Sequence, residues 1–297
     1  MATATAPATT PVSEPPSTAV LEMIKKVSSI ATLPEITAKI IATVEDPKST
    51  PATLHKIVSH DPALVTRILK VVNSAFYGLP GQIASIERAI VLLGLNAIKN
   101  IAVAASLGQL FRGVKLCEGF TAKDLWTHCI AVGITARYIA KQMKVPLADE
   151  AFLAGMIHDV GLLVSLQVMP EKLRNVCESA KAPASVFCDL EREQMGMDHQ
   201  QLGAALCEQW KFPRSCQRVA GYHHRPFTLS DNNRHLVSIV HVADTLVATG
   251  NYGFNLTAVN QKLDEEALEG VGIDAMLIEL ARKSLPDLLS NSAGVFA

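Results

Sequence analysis

The chain has 297 residues, of which 49% are hydrophobic, 19% are charged and 5% are aromatic, and its formal net charge is −1 at pH 7. This balanced charge, with only Lys25 and Lys26 as adjacent basic residues, argues against DNA or RNA as a partner. The charged fraction lies below the ~25% of typical soluble domains, which indicates an extensive apolar core. Because the apolar residues are mainly aliphatic, the composition favours packed helices over an aromatic-rich β-sandwich.

The N-terminus carries no recognisable targeting signal. Residues 1–18 are mostly small residues and prolines, without the basic and apolar regions of a secretory signal, so we expect a disordered tail. The longest apolar run, near residues 89–105, is interrupted by polar side chains and predicts no membrane span. The six cysteines include no CxxC pair, which favours reduced, buried thiols and a cytoplasmic location.

The first part of the chain predicts an N-terminal helical lobe over residues 19–113. Thr50 and Asp61 each precede a proline, and Ser85 precedes an apolar run, so all three are expected helix caps. Strand-like alternation is absent, and a joint between two lobes is expected near residues 112–123. The helices are predicted near residues 19–30, 35–45, 51–60, 62–74, 86–93 and 96–111.

The second part predicts a longer-helix bundle over residues 114–250. Asp198 and Gln201 have the spacing of a capping box, which marks the start of one helix. A C-terminal extension, residues 251–297, is expected to add two more helices. The bundle helices are predicted near residues 124–144, 148–167, 170–181, 185–194, 199–210, 213–222 and 233–249. The predicted fold is therefore all-α and two-lobed.

Several histidines and aspartates fall on predicted apolar helix faces. His128 and Asp244 each lie on a buried stripe, and His158 and Asp159 are adjacent within an almost wholly apolar helix. A buried His-Asp pair is costly unless a cation neutralises it. The remaining members are imidazoles, one at a helix start and two ahead of a proline: His199, His223 and His224.

Each of these residues also has an ordinary structural interpretation. A single buried histidine is usually hydrogen-bonded within the core, Asp244 could serve an ion pair, and His223 and His224 could favour a helix C-terminus by their charge. Taken together, however, imidazoles and carboxylates in one helical core suit Mn, Fe, Zn or Ni, with Mg at the carboxylates. A pair of such ions could share Asp159.

The order of these residues resembles the H…HD…D pattern of HD-superfamily metal phosphohydrolases. The pattern is carried by His128, His158-Asp159 and Asp244, while His199, His223 and His224 resemble the extra histidines of two-metal members such as HD-GYP phosphodiesterases. The segments LPEITAKIIATVEDP, NSAFYGLP, SIERAIVLLG and MDHQQLGAALCEQWKFP resemble the HDOD domain, the HD-related output domain, over residues 28–248. The resemblance implies one or two divalent ions held by the seven residues, with Asp159 as the catalytic carboxylate of any active member.

The chain departs from the active phosphodiesterases at two points. Where HD-GYP enzymes have a lysine in HDxGK, this chain has Leu162, and no Gly-Tyr-Pro follows His224. The cation that would neutralise a phosphate oxygen is therefore missing, which predicts weak catalysis at most. A lysine introduced at position 162 is expected to raise phosphodiesterase activity if the metal site is otherwise intact.

Three functions remain open from the sequence. The resemblance favours a regulatory signal-transduction output module that binds a protein partner and hydrolyses little or nothing. The nearly complete ligand set favours a metal-dependent phosphohydrolase acting on a nucleotide or phosphoester. The third is a receptor that binds a nucleotide second messenger without cleaving it.

Overall fold

A computed structural model describes residues 16–27, 35–46, 48–74, 77–111 and 115–290. Within these ranges the chain forms helices and a single two-stranded antiparallel hairpin, so the all-α prediction is confirmed. The predicted tail falls mostly on residues 1–15, outside the described residues, and so does the end of the first predicted helix, 28–30. Ser17, which was assigned to that tail, instead caps the first helix.

The first lobe is organised around a buried central helix, α6. Thr50, Asp61 and Ser85 each accept a hydrogen bond from the backbone N–H three residues ahead, as expected for helix caps. α6 packs against α2, α4 and α5, and also reaches α8 of the second lobe. The helices are α1 (Thr18–Lys26), α2 (Glu35–Glu45), α3 (Pro51–Val58), α4 (Pro62–Val72), α5 (Ile86–Leu93) and α6 (Leu95–Leu107), followed by a 3₁₀ turn (Gly108–Phe111).

A small β-hairpin lies where the sequence predicted a plain joint. Strand β1 (Lys115–Cys117) pairs with β2 (Phe120–Thr121), and Gly119 turns between them with φ of +88°. The expectation of no strand was wrong here, because strands this short carry too few residues for a detectable alternation. Thr121 then forms a capping box with Asp124, which starts the next helix two residues before the predicted position.

The second lobe surrounds the long helix α7. α8 and α14 pack directly on α7, while α12 packs on both α9 and α13. The capping box of Asp198 and Gln201 is present as predicted. The helices are α7 (Ala122–Gln142), α8 (Ala148–Ile157), α9 (Val160–Val168), α10 (Pro170–Ser179), α11 (Phe187–Met195), α12 (His199–Gln209), α13 (Arg214–Tyr222), α14 (Asp231–Thr249), α15 (Glu265–Glu269) and α16 (Ala275–Ser290), with a 3₁₀ turn at Pro226–Thr228.

The predicted helix over residues 148–167 is broken in its middle. His158 keeps a helical conformation, but Asp159 has φ of −96° and ψ of 14°, and its carbonyl accepts from Leu162 N–H in a tighter turn. The prediction of one continuous helix was wrong because apolar composition runs through the break. By length and composition alone Ala148–Val168 is apolar enough to cross a membrane, but most of it is buried inside the protein.

Glycines allow the helices that carry the histidines and aspartates to approach closely. At Gly161 an added Cβ would overlap the carbonyl oxygen of His199 and lie 2.7 Å from the backbone nitrogen of Gly203. At Gly155 it would lie 2.8 Å from the Cα of Gly133. These two contacts bring α9 against α12 and α8 against α7.

We expect Gly161→Ala to lower the free energy of unfolding by about 3 kcal/mol or more, because the methyl group overlaps backbone that cannot rotate away. Thermal and denaturant unfolding measure the change. Gly270→Ala is the matched control, since Gly270 has an ordinary helical φ of −60° and an added Cβ meets nothing closer than 3.4 Å. Equal effects at the two positions would contradict the close approach of α9 and α12.

Candidate metal centre

Five parts of the second lobe contribute side chains to one cluster in its core. α7 supplies His128, the break between α8 and α9 supplies two residues, α12 supplies its first residue, the end of α13 supplies two, and α14 supplies one. Six of the seven side chains have no exposed surface, and that of His224 is 9% exposed. The cluster thus contains every predicted site residue: His128, His158, Asp159, His199, His223, His224 and Asp244.

Asp159 lies at the centre, and its two carboxylate oxygens face different imidazoles. Oδ2 lies 3.3 Å from Nε2 of His158 and 3.8 Å from Nε2 of His128. Oδ1 lies 3.3 Å from Nε2 of His199 and 3.4 Å from Nε2 of His223. One carboxylate therefore joins two sets of imidazole nitrogens.

The first set, with both carboxylates, is here named the first ligand group: His128, His158, Asp159 and Asp244. Oδ1 of Asp244 lies 3.1 Å from Nε2 of His128 and 3.7 Å from Nε2 of His158. Two imidazoles and two carboxylates so arranged match the donors that divalent Mn, Fe or Zn prefer in proteins.

The second ligand group consists of Asp159, His199, His223 and His224, whose donor atoms all lie within 4.8 Å of one another. Nε2 of His199 lies 3.3 Å from Nε2 of His223 and 3.1 Å from Nε2 of His224. Three imidazoles so close together repel one another when protonated, so the arrangement favours a shared cation over shared protons.

Hydrogen bonds at the far side of each ring fix which nitrogen is free. Nδ1 of His158 donates to the carbonyl of Gly155 at 2.7 Å, and Nδ1 of His223 donates to the carbonyl of Val219 at 3.0 Å. The neutral rings then carry their lone pair on Nε2, the atom that faces Asp159. Protein metal sites use the same outer hydrogen bonds to orient histidine ligands.

Several buried polar atoms of the cluster make no hydrogen bond among the described residues. They are Nε2 of His158, both ring nitrogens of His128, Oδ1 of Asp159 and both carboxylate oxygens of Asp244. Each such atom costs roughly 1–3 kcal/mol, and a bare buried charge costs more. The residues therefore fit a divalent cation in each ligand group, which would satisfy these atoms together.

The charges within the cluster reinforce this interpretation. Burial alone would favour the neutral form of Asp159, but the surrounding imidazoles hold the pKa of that carboxyl well below its usual range. Burial and the neighbouring His223 lower the pKa of His224 well below its ordinary value. At neutral pH the core thus presents ionised carboxylate beside neutral imidazole, which is the protonation state that metal ions require.

Three further residues support the ligands and were not identified from the sequence. Oε2 of Glu191 accepts from Nδ1 of His199 at 2.6 Å and from its backbone N–H at 3.0 Å. Oε1 of Gln261 accepts from Nδ1 of His224 at 2.6 Å. The hydroxyl of Thr257 lies 3.5 Å from Oδ2 of Asp159. Their spacing from the ligands follows no local motif, because loops and a separate helix bring them in.

We expect Glu191→Gln to weaken metal binding by about 10- to 100-fold, the usual cost of losing an outer hydrogen-bond partner of a metal-bound histidine. The amide cannot accept two N–H bonds with the strength of the buried carboxylate. Competition with a chromogenic chelator measures the affinity. Glu193→Gln, at an exposed position of the same helix, is the control. Unchanged affinity in Glu191→Gln would contradict the role of Glu191.

The fold and the cluster together define a helical protein of HD type, with histidines and aspartates gathered around one shared carboxylate. A family model of the HDOD domain matches residues 30–226. The chain therefore belongs to the HDOD domain family, as the resemblance implied. An uncharacterized protein of Treponema pallidum is 25% identical over 226 residues, which is 75% of this chain. The chain spans less than half, 43%, of that relative's length.

Solved structures share the fold. An HDOD domain protein of unknown function from Geobacter sulfurreducens is 21% identical with a TM-score of 0.71, covering 91% of this chain and 96% of its own. A candidate phosphohydrolase from Shewanella amazonensis SB2B is 24% identical with a TM-score of 0.69, covering 94% and 96%. A candidate signal transduction protein from Marinobacter aquaeolei VT8 is 22% identical with a TM-score of 0.73, covering 93% and 64%.

Proposed function

We propose that this chain is a cytoplasmic regulatory module of the HDOD type, which binds a protein partner of a signalling pathway. Its HD-type cluster holds one or two divalent ions that tie the bundle together, and it hydrolyses little or nothing. The lobe limits that go with this proposal are residues 19–113 and 114–250, with residues 251–297 as an extension. The observation that carries the proposal is the burial of the cluster without a phosphate-binding cation.

The surroundings of the carboxylates lack a positive side chain. Within the described part of the chain, every ion-pair partner of Asp159 and Asp244 is a histidine. Leu162, in the place of the lysine of active phosphodiesterases, is fully buried. A phosphoester transition state needs its oxygens neutralised, and losing one such donor typically costs about 10²- to 10³-fold in rate.

The burial of the ligands points to a structural use of the ions. Because His224 alone shows exposed side-chain surface, at 9%, an approaching phosphoester would meet that edge of the cluster first. Ions in the two ligand groups would instead join α7, α9, α12, α13 and α14, which the sequence separates widely. Their chemistry here would be charge neutralisation and cross-linking, and the partner would dock on the outside of the stabilised bundle.

Metal analysis combined with a hydrolysis assay tests this proposal. We expect the purified chain to carry a divalent metal and to cleave a generic phosphodiester, with Mn²⁺ added, no faster than Asp159→Ala does. Turnover of roughly 1 s⁻¹ or faster, lost in Asp159→Ala, would overturn the non-hydrolytic role. Saturable nucleotide binding without turnover would replace the partner-binding role with that of a second-messenger receptor.

A metal-dependent phosphohydrolase is the second candidate, and the position of Asp159 favours it. One carboxylate facing two ligand groups is the arrangement of two-metal sites that act on phosphate esters. Asp159 would hold the ions, and the imidazoles would orient them. The same hydrolysis assay separates this candidate from the first.

A further inference from the structure

Two cysteines outside the metal cluster form a close pair. Cys117 ends strand β1 and Cys177 lies near the end of α10, two elements that pack against each other. Both are free thiols with 1% of their surface exposed. Their side chains hydrogen-bond to each other, which brings the two sulfur atoms into contact across a long stretch of sequence. Neither residue takes part in the metal cluster or its supporting hydrogen bonds.

The surroundings make the two thiols unequal. The hydrogen bond from Cys177 lowers the pKa of Cys117, and Lys181 and Lys115 add to this against burial and Glu178. By contrast, burial raises the pKa of the Cys207 thiol to about 12. A thiolate beside a neutral thiol is the combination in which one sulfur is oxidised and the other resolves it.

We propose that Cys117 and Cys177 form a reversible disulfide, with hydrogen peroxide or a related hydroperoxide as the oxidant. The Cys117 thiolate attacks one peroxide oxygen, the O–O bond breaks, and the departing oxygen takes a proton from solvent to leave as water. The resulting sulfenic acid is attacked by the Cys177 sulfur, the S–O bond breaks, and the departing hydroxide leaves as water with the Cys177 proton. Two thiols are oxidised and one peroxide is reduced to two waters.

The hairpin gives the oxidant its route to the buried pair. Strands β1 and β2 have only three and two residues, so few ladder hydrogen bonds hold Cys117 in place and local opening exposes it. The disulfide would then fasten this hairpin to α10. Because α7 starts directly after β2, the bond also fixes the start of the helix that carries His128.

Peroxide treatment of the full chain, followed by alkylation and peptide mass mapping, tests the proposal. We expect a linked peptide pair containing Cys117 and Cys177, lighter by about 2 Da than the two free peptides and separated again by dithiothreitol. Cys117 is expected to lose its free thiol at least about tenfold faster than Cys207. Sulfinic acid at Cys117 without a link, a link between other cysteines, or no reaction would overturn it.

Variants distinguish this pair from the other buried thiols. Cys117→Ser and Cys177→Ser should each abolish the linked peptide, whereas Cys207→Ser, also at a buried position, should leave it unchanged. The oxidised wild type should melt at a higher temperature than the reduced form, and the two single variants should show no such shift. The mapping on wild type stands on its own if a variant fails to fold.

Discussion

Asp159→Asn is expected to lose nearly all bound metal, with an affinity decrease of more than about 100-fold, beyond the range of outer-sphere changes. The physical reason is that Oδ1 and Oδ2 of Asp159 each face a different pair of imidazole nitrogens. An amide replaces one of these oxygens by NH₂, which donates instead of accepting and brings no negative charge. One substitution should therefore empty both ligand groups, as measured by elemental analysis after dialysis.

Two comparisons make this result specific. Asp231→Asn removes a carboxylate that is 85% exposed on α14, and it should leave the metal content unchanged. Asp244→Asn should act on the first ligand group, because the second is composed of Asp159 and three histidines. It should thus retain the ion of the second group. Full metal content in Asp159→Asn would contradict the shared carboxylate.

Leu162→Lys is expected to lower the free energy of unfolding by about 3 kcal/mol or more, because it places an ammonium group in a fully buried apolar position. Leu162→Met is the matched control and should cost less than about 1.5 kcal/mol. Denaturant unfolding of the metal-loaded proteins measures both. A Leu162→Lys protein as stable as Leu162→Met would show that the lysine reaches a partner in the cluster.

The same variant tests why this chain lacks the phosphodiesterase lysine. The sequence alone predicts that Leu162→Lys gains activity, since it restores the missing cation. The burial of Leu162 in α9 changes that expectation: a side chain enclosed in the core cannot meet a substrate. We expect metal-loaded Leu162→Lys to hydrolyse a generic phosphodiester no faster than Leu162→Met. A gain that disappears in the double variant with Asp159→Asn would instead support the phosphohydrolase.

The sequence by itself determined the helical class and most helix starts. Cap residues such as Thr50, Asp61 and Asp198 act through hydrogen bonds to the backbone three residues away, so their effect is readable locally. The buried stripes that contain His128 and Asp244 follow from helical periodicity in the same way. The order of histidines and aspartates pointed to the HDOD family, which the family model then confirmed.

Only the tertiary structure decided how these residues meet. Asp159 lies at a break that apolar composition conceals, and the break lets its two oxygens face separate groups of imidazoles. Glu191 and Gln261 reach their histidines from a neighbouring helix and a loop, and no local spacing encodes such contacts. The close approach at Gly161 depends on the crossing of α9 and α12. Periodicity and capping act over one or two helical turns, whereas a site gathered from five segments depends on how the helices pack.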